Sequence, residues 1–128
     1  MPAAMVDATM ANFEAMLAVS EVQGQGLLLL LFLGDRDTAT GGSWCPDCVR
    51  AEPVIYKTLE SSNKHMTLLR VYVGDRATWK KSSHPLRHDP RFLLKGIPTL
   101  VRWEDGKITG RLGDHEAHVE DKIKKLIS

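Results

Sequence analysis

A chain of 128 residues has room for one hydrophobic core, because two half-size units would each sit near the length at which burial barely offsets chain entropy. Apolar residues make up 43% and charged residues 26%, which excludes a disordered chain, and a net charge of +1 leaves no broad field to hold nucleic acid or an anionic membrane. Only two cysteines occur, three positions apart in Trp44-Cys45-Pro46-Asp47-Cys48, which excludes the multi-bridge framework of a small secreted domain.

Taken in chain order, Phe13, Met16, Leu17 and Ser20 recur at helical spacing and predict a first helix over about residues 9–22. Asp7 or Thr9 offers its cap, and Gly24 and Gly26 stop it. Leu27 to Leu33 is apolar on both alternating faces, the pattern of a central strand covered above and below by helices. Bounded by Gly26 and Gly34, this run is far short of the about 20 residues that a membrane helix needs. The N-terminus shows no basic start, apolar stretch and cleavage site of a secretory signal, so a cytosolic protein is expected.

Gly34 to Ser43 reads as a polar, glycine-bearing loop that delivers Trp44 and Cys45 to a helix. Pro46 suits the first turn of that helix, where its missing N–H costs nothing. Val49, Val54, Ile55 and Leu59 predict its buried stripe, to about Ser61, and Pro53 predicts a kink. Met66 to Val73 alternates as a second strand that ends at Gly74-Asp75. A loop with short helices carries Trp79, Lys80, Lys81, His84 and His88 to Phe92-Leu93-Leu94. Ile97-Pro98-Thr99 follows, then a strand Leu100 to Trp103, an Asp105-Gly106 turn and a return strand Lys107 to Leu112, the signature of a tight hairpin. Val119, Ile123, Leu126 and Ile127 close the chain with an amphipathic helix from about His115, its lysines Lys122, Lys124 and Lys125 outside. One βαβ unit followed by a hairpin predicts an α/β fold, a mixed sheet flanked by helices on both faces, in one domain over residues 1–128.

Cys45 begins a helix, where unsatisfied amides and the helix dipole favour a thiolate. Such a thiolate attacks a substrate disulfide, and a second thiol one turn on, Cys48, resolves the mixed disulfide. Cys45 is thus expected to be the exposed nucleophile and Cys48 the buried resolving thiol. The same pair can instead be half of a zinc site, a fixed disulfide or two inert core cysteines. Zinc needs two further ligands, and among the five histidines only His84 and His88 have ligand-like spacing. The flanking Trp44 and Pro46 favour dithiol chemistry.

These residues resemble the thioredoxin superfamily and, more closely, its subfamily of small cytosolic thioredoxin-related proteins. Trp44-Cys45-Pro46-Asp47-Cys48 is similar to that subfamily's Trp-Cys-Pro-Asp-Cys site, where ordinary thioredoxins carry Gly-Pro between the cysteines. The resemblance extends to Glu52-Pro53, the Gly-rich loop before the site, Gly74-Asp75 with Trp79-Lys80, and Ile97-Pro98-Thr99, over roughly residues 10–127. It implies a thioredoxin-like fold and a disulfide reductase in which Cys45 attacks and Cys48 resolves. It also implies that Pro98 is a cis-proline facing the pair, that Ile97 and Thr99 lie beside the substrate, that Gly113 borders the groove and that Trp44 forms its rim.

By the same resemblance the chain binds no cofactor and draws electrons from thioredoxin reductase and NADPH, or from a low-molecular-weight dithiol. Implied partners are cystine-like small disulfides, S-nitrosothiols, peroxides and selected proteins such as dynein light chain, with the chain a cytoplasmic monomer. The other reading is a non-catalytic redox-sensing adaptor that docks partners through the same groove.

Two departures from ordinary thioredoxins stand out. Their central strand holds a buried acid that helps deprotonate the resolving cysteine, whereas Leu31 occupies that place here. Asp47, between the thiols, is the candidate to tune Cys45 and to accept a proton. The second departure is the loop of residues 34–43, expected to narrow access and favour small or particular protein disulfides.

Overall fold

The computed structural model describes residues 3–24 and 26–128. The chain runs β1 (Ala3–Thr9), α1 (Phe13–Gln23), β2 (Leu27–Leu33), α2 (Pro46–Glu60), β3 (Met66–Tyr72), α3 (Arg76–Lys80), α4 (Pro85–His88), β4 (Thr99–Glu104), β5 (Lys107–Leu112) and α5 (Glu120–Ile127). These strands form one five-stranded mixed sheet in the order β1-β3-β2-β4-β5. β3 pairs in parallel with both β1 and β2, and β4 pairs antiparallel with β2 and β5.

β2 is the middle strand, and every residue from Leu28 to Leu33 is buried. With no face toward water, it gains nothing from alternation and reads as continuous apolar sequence. Its even-numbered side chains face α1: the Phe32 ring lies 6.1 Å from Phe13 of α1 and 5.4 Å from Phe92. Leu31 therefore points to the opposite face. That residue is in register with Arg70, whose guanidinium donates to the Tyr56 hydroxyl of α2 at 3.2 Å, so α2 covers the odd-numbered face. α5 packs beside α2.

Strand β1 departs from the sequence expectation, which places a helix start near residue 9. Asp7 pairs with Arg70 at 2.6 Å rather than capping a helix, and the Thr9 amide donates to the Asn12 carboxamide at 2.7 Å. α1 then begins after Asn12. α2 continues through Pro53, and of its expected stripe Ile55 and Leu59 are buried while Val49 is half exposed. α5 starts later than expected, because the Gly113 carbonyl accepts the Glu116 and Ala117 amides and residues 114–118 form turns. The hairpin has Asp105 and Gly106 both left-handed, at φ 53° and 76°, the geometry of a two-residue turn that matches strand twist. Among the described residues, no helix is long and apolar enough to cross a membrane.

Candidate functional site

Strand β2 ends at Leu33, and the loop that follows returns the chain to α2 with Cys45 as its N-cap and Pro46 in the first turn. Both cysteines are free thiols. The Cys45 sulfur accepts the Cys48 amide at 3.2 Å, and its thiol faces the Ile97 carbonyl at 3.7 Å across 52 residues of sequence. The Ile97–Pro98 bond is cis, as the resemblance implies. Cys45 is 4% exposed and Cys48 is fully buried, so the expected order holds but the expected exposure does not. The Ile97 carbonyl against the sulfur is part of what covers it.

Electrostatics separate the two thiols. Hydrogen bonding with Cys48 is the main cause that lowers Cys45 from its ordinary 9.0 to about 7. Burial works against it, the amides of Cys48 and Asp47 reinforce it, and the Asp47 carboxylate opposes it. Cys48 moves strongly upward, first through its hydrogen bond with Cys45 and then through burial, while the Gly34 amide and the Ser43 hydroxyl pull it back. At neutral pH Cys45 is therefore partly thiolate, while Cys48 is held as a thiol.

Of the other expected residues, Trp44 and Asp47 adjoin the pair in sequence, whereas Thr99 and Gly113 line a hollow that includes neither cysteine. Trp44 is half-buried, and its indole donates to the Gly74 carbonyl at 2.8 Å while the Arg76 guanidinium stacks on it at 5.2 Å. A side chain at Gly34 would approach this indole to 2.7 Å, so that position has room only for hydrogen. Asp47 is half exposed and pairs with Arg50 at 3.5 Å. Thr99 is buried and spends its hydroxyl on the Gly96 carbonyl at 2.7 Å. Thr99 and Gly113 line a hollow of about 400 Å³ with Leu93, Lys95, Gly96, Arg111 and Asp114. A side chain at Gly113 would meet nothing within 4 Å, so its open side faces this hollow. A hollow of about 520 Å³ between β4, β5 and α5 involves neither cysteine; a dithiol acts on a disulfide at a surface, so volume does not locate the site. His84, weighed as a metal ligand, has both ring nitrogens engaged by backbone, at the Val73 carbonyl (2.7 Å) and the Leu86 amide (3.1 Å).

Three residues given no role from the sequence belong to the site. Ser43, two positions before Cys45, is buried; its hydroxyl donates to the Gly34 carbonyl at 2.8 Å and accepts the Cys45 amide at 3.2 Å. A serine accepting the amide two residues on is a recognisable local pattern, so this signal was present. Arg36 and Glu52 join the loop to α2 at 3.1 Å, and Tyr56 also donates to Glu52. Their meeting across 16 residues leaves no local trace in the sequence.

Residues 8–128 match the family described as "Thioredoxin domain-containing protein 17-like, thioredoxin domain". The chain belongs to this family. It is 48% identical to the Thioredoxin-like protein Clot of Oryza sativa subsp. japonica, over 96% of this chain and 94% of that protein. It is 40% identical to Thioredoxin domain-containing protein 17 of Epinephelus coioides, over 87% of this chain and 85% of the relative. The crystal structure of Schistosoma mansoni thioredoxin superposes with a TM-score of 0.56 at 18% identity, covering 98% of this chain and 95% of the other. That likeness establishes the thioredoxin-like fold, and the family supports a thioredoxin-type redox role.

Proposed function

We propose that this member of the thioredoxin domain-containing protein 17-like family is a disulfide reductase acting as one domain. The carrying observation is a Cys45 sulfur held at the start of α2 by the Cys48 amide, with a pKa of about 7, facing the Ile97-Pro98 backbone. The Cys45 thiolate attacks one sulfur of a substrate disulfide, and the other leaves as a thiolate with the electron pair. Cys48 then attacks Cys45, the second substrate sulfur departs as a thiol, and the enzyme holds a Cys45–Cys48 disulfide. Two electrons from NADPH through thioredoxin reductase, or from a low-molecular-weight dithiol, restore the dithiol. Trp44, Ile97, Pro98, Thr99 and Gly113 border the groove, Pro46 starts the helix and Asp47 modulates the nucleophile. The cytoplasm, as a reducing compartment, suits a cycle that must return to the dithiol.

Small disulfides and particular proteins fit this reading best, because a thiol only 4% exposed favours partners that reach past the rim. The same low exposure favours the second reading, a redox-sensing adaptor that docks partners without turnover. Reduction of 2-hydroxyethyl disulfide and insulin with a coupled reductase separates the two. The reductase reading expects many turnovers by the native chain, none by Cys45→Ser, and mixed disulfides trapped by Cys48→Ser. A stoichiometric complex that survives Cys45→Ser, without turnover, sinks it in favour of the adaptor.

A further inference from the structure

Trp44, the residue bonded to the nucleophile in the chain, is held in one place. Its indole donates to the Gly74 carbonyl at 2.8 Å, and Gly34 packs so closely that a side chain there would come within 2.7 Å of the ring. On this fixed ring lies the Arg76 guanidinium, 5.2 Å from the centroid. Every other arginine of the chain donates a hydrogen bond to an oxygen; among the described residues Arg76 donates none and has no ion-pair partner. The acids nearest in the fold are directed elsewhere: Asp75 accepts the Thr78 amide at 2.8 Å and Asp35 the Gly74 amide at 3.0 Å. Asp47, the acid between the thiols, has Arg50 as its counter-ion at 3.5 Å.

Attraction to the negative face of the ring holds the cation without consuming its donors. What remains is a planar fork of N–H groups matched to the two oxygens of a carboxylate, already restricted in its freedom before an anion arrives. Resting on the reductase reading, we propose that Arg76 is a specificity-determining residue that binds a carboxylate of the substrate while Cys45 attacks its disulfide. Small disulfides with a carboxylate near the sulfur are then preferred to neutral or cationic ones of similar length. The contact positions the substrate and takes no part in bond exchange. It also gives the Trp44 rim a second use, as the platform that keeps a free cation beside the nucleophile.

The test uses the full chain, reduced and freed of reductant, mixed with an excess of one disulfide and quenched with acid. Mass spectrometry reads the rate at which the dithiol is lost. The disulfides are 3,3′-dithiodipropionate (anionic), 2-hydroxyethyl disulfide (neutral) and cystamine (cationic), and the ratio of variant to native rate for each cancels its intrinsic reactivity. Arg76 is exposed at the start of α3, so Arg76→Gln alters charge with little effect on packing. Arg76→Gln is expected to slow dithiodipropionate about fivefold, the scale of one exposed ion pair, to leave 2-hydroxyethyl disulfide unchanged and to quicken cystamine. Arg76→Lys, which keeps the charge without the fork, is expected to lose less than Arg76→Gln on dithiodipropionate, and Arg76→Glu to lose more. A guanidinium that merely braces Trp44 would slow all three disulfides alike. Equal ratios for the three disulfides in Arg76→Gln, whether slowed or unchanged, therefore overturn the proposal. A native chain that reduces none of them overturns the reductase reading instead.

Discussion

The Asp47 carboxylate follows Pro46 and precedes Cys48, and its charge acts on Cys45 against the hydrogen bonds that lower that thiol. The sign decides the prediction. Removing the negative charge relieves repulsion of the thiolate, so Asp47→Asn moves the Cys45 pKa further below about 7. The effect is modest, because Asp47 is half exposed and shares its charge with Arg50 at 3.5 Å. Alkylation of Cys45 by iodoacetamide at pH 6 is expected to quicken by about twofold in Asp47→Asn, with the native midpoint at about 7. An unmoved midpoint removes the tuning role. The cysteine pair and its helix start were legible in the sequence because both are local features. The depth of cover over Cys45 was not, because periodicity near the helix start does not report how closely the Ile97 carbonyl, 52 residues away and placed near the pair by resemblance alone, packs on the sulfur.

The loop of residues 34–43 is a folded element rather than a slack insertion. Arg36 and Ser43 pair as a short antiparallel bridge, Asp37 and Gly42 close its tip at 2.6 Å, and the Trp44 amide returns to the Asp35 carbonyl at 3.2 Å. Arg36 pins the element to α2 through Glu52, whose side chain is 10% exposed against 38% for Arg36. Breaking a fully buried pair costs about 3–5 kcal/mol, and solvent at the guanidinium reduces this, so Arg36→Ala is expected to cost about 1–2 kcal/mol in urea unfolding. Shortening the tip over Thr38–Gly41 tests access independently. Insulin reduction should rise while 2-hydroxyethyl disulfide reduction stays as it was, and no gain on insulin removes the gating idea. Element legibility followed burial: β2 could be bounded correctly because Gly26 and Gly34 flank a run with no polar face. β1 was missed because it is an edge strand of Ala, Met, Val, Asp and Thr with mixed burial, and only its pairing with β3 makes it a strand.

At the scale of the molecule, stability and reactivity reside in different places. Phe92 is fully buried where three elements meet, 5.5 Å from Phe13 of α1, 5.4 Å from Phe32 of β2 and 5.2 Å from Trp103 of β4. Arg111 of β5 also binds its carbonyl, so one residue ties four elements to the α1 face of the sheet. Phe92→Ala removes that junction and leaves a cavity, at an expected cost of about 3–5 kcal/mol and a fall in Tm of about 10–20 °C. Cys45 owes its lowered pKa to Cys48 and the Asp47 amide, both in the first turn of α2 across the sheet. Its alkylation midpoint in folded Phe92→Ala is therefore expected to stay at about 7 even as the denaturation midpoint falls. Were the alkylation midpoint to rise with the loss of stability, the thiolate would depend on tension through the whole core and on the Ile97-Pro98 backbone that Phe92 precedes. An unchanged midpoint localises the control to the first turn of α2, where a substitution at Asp47 can adjust chemistry with little cost to the fold.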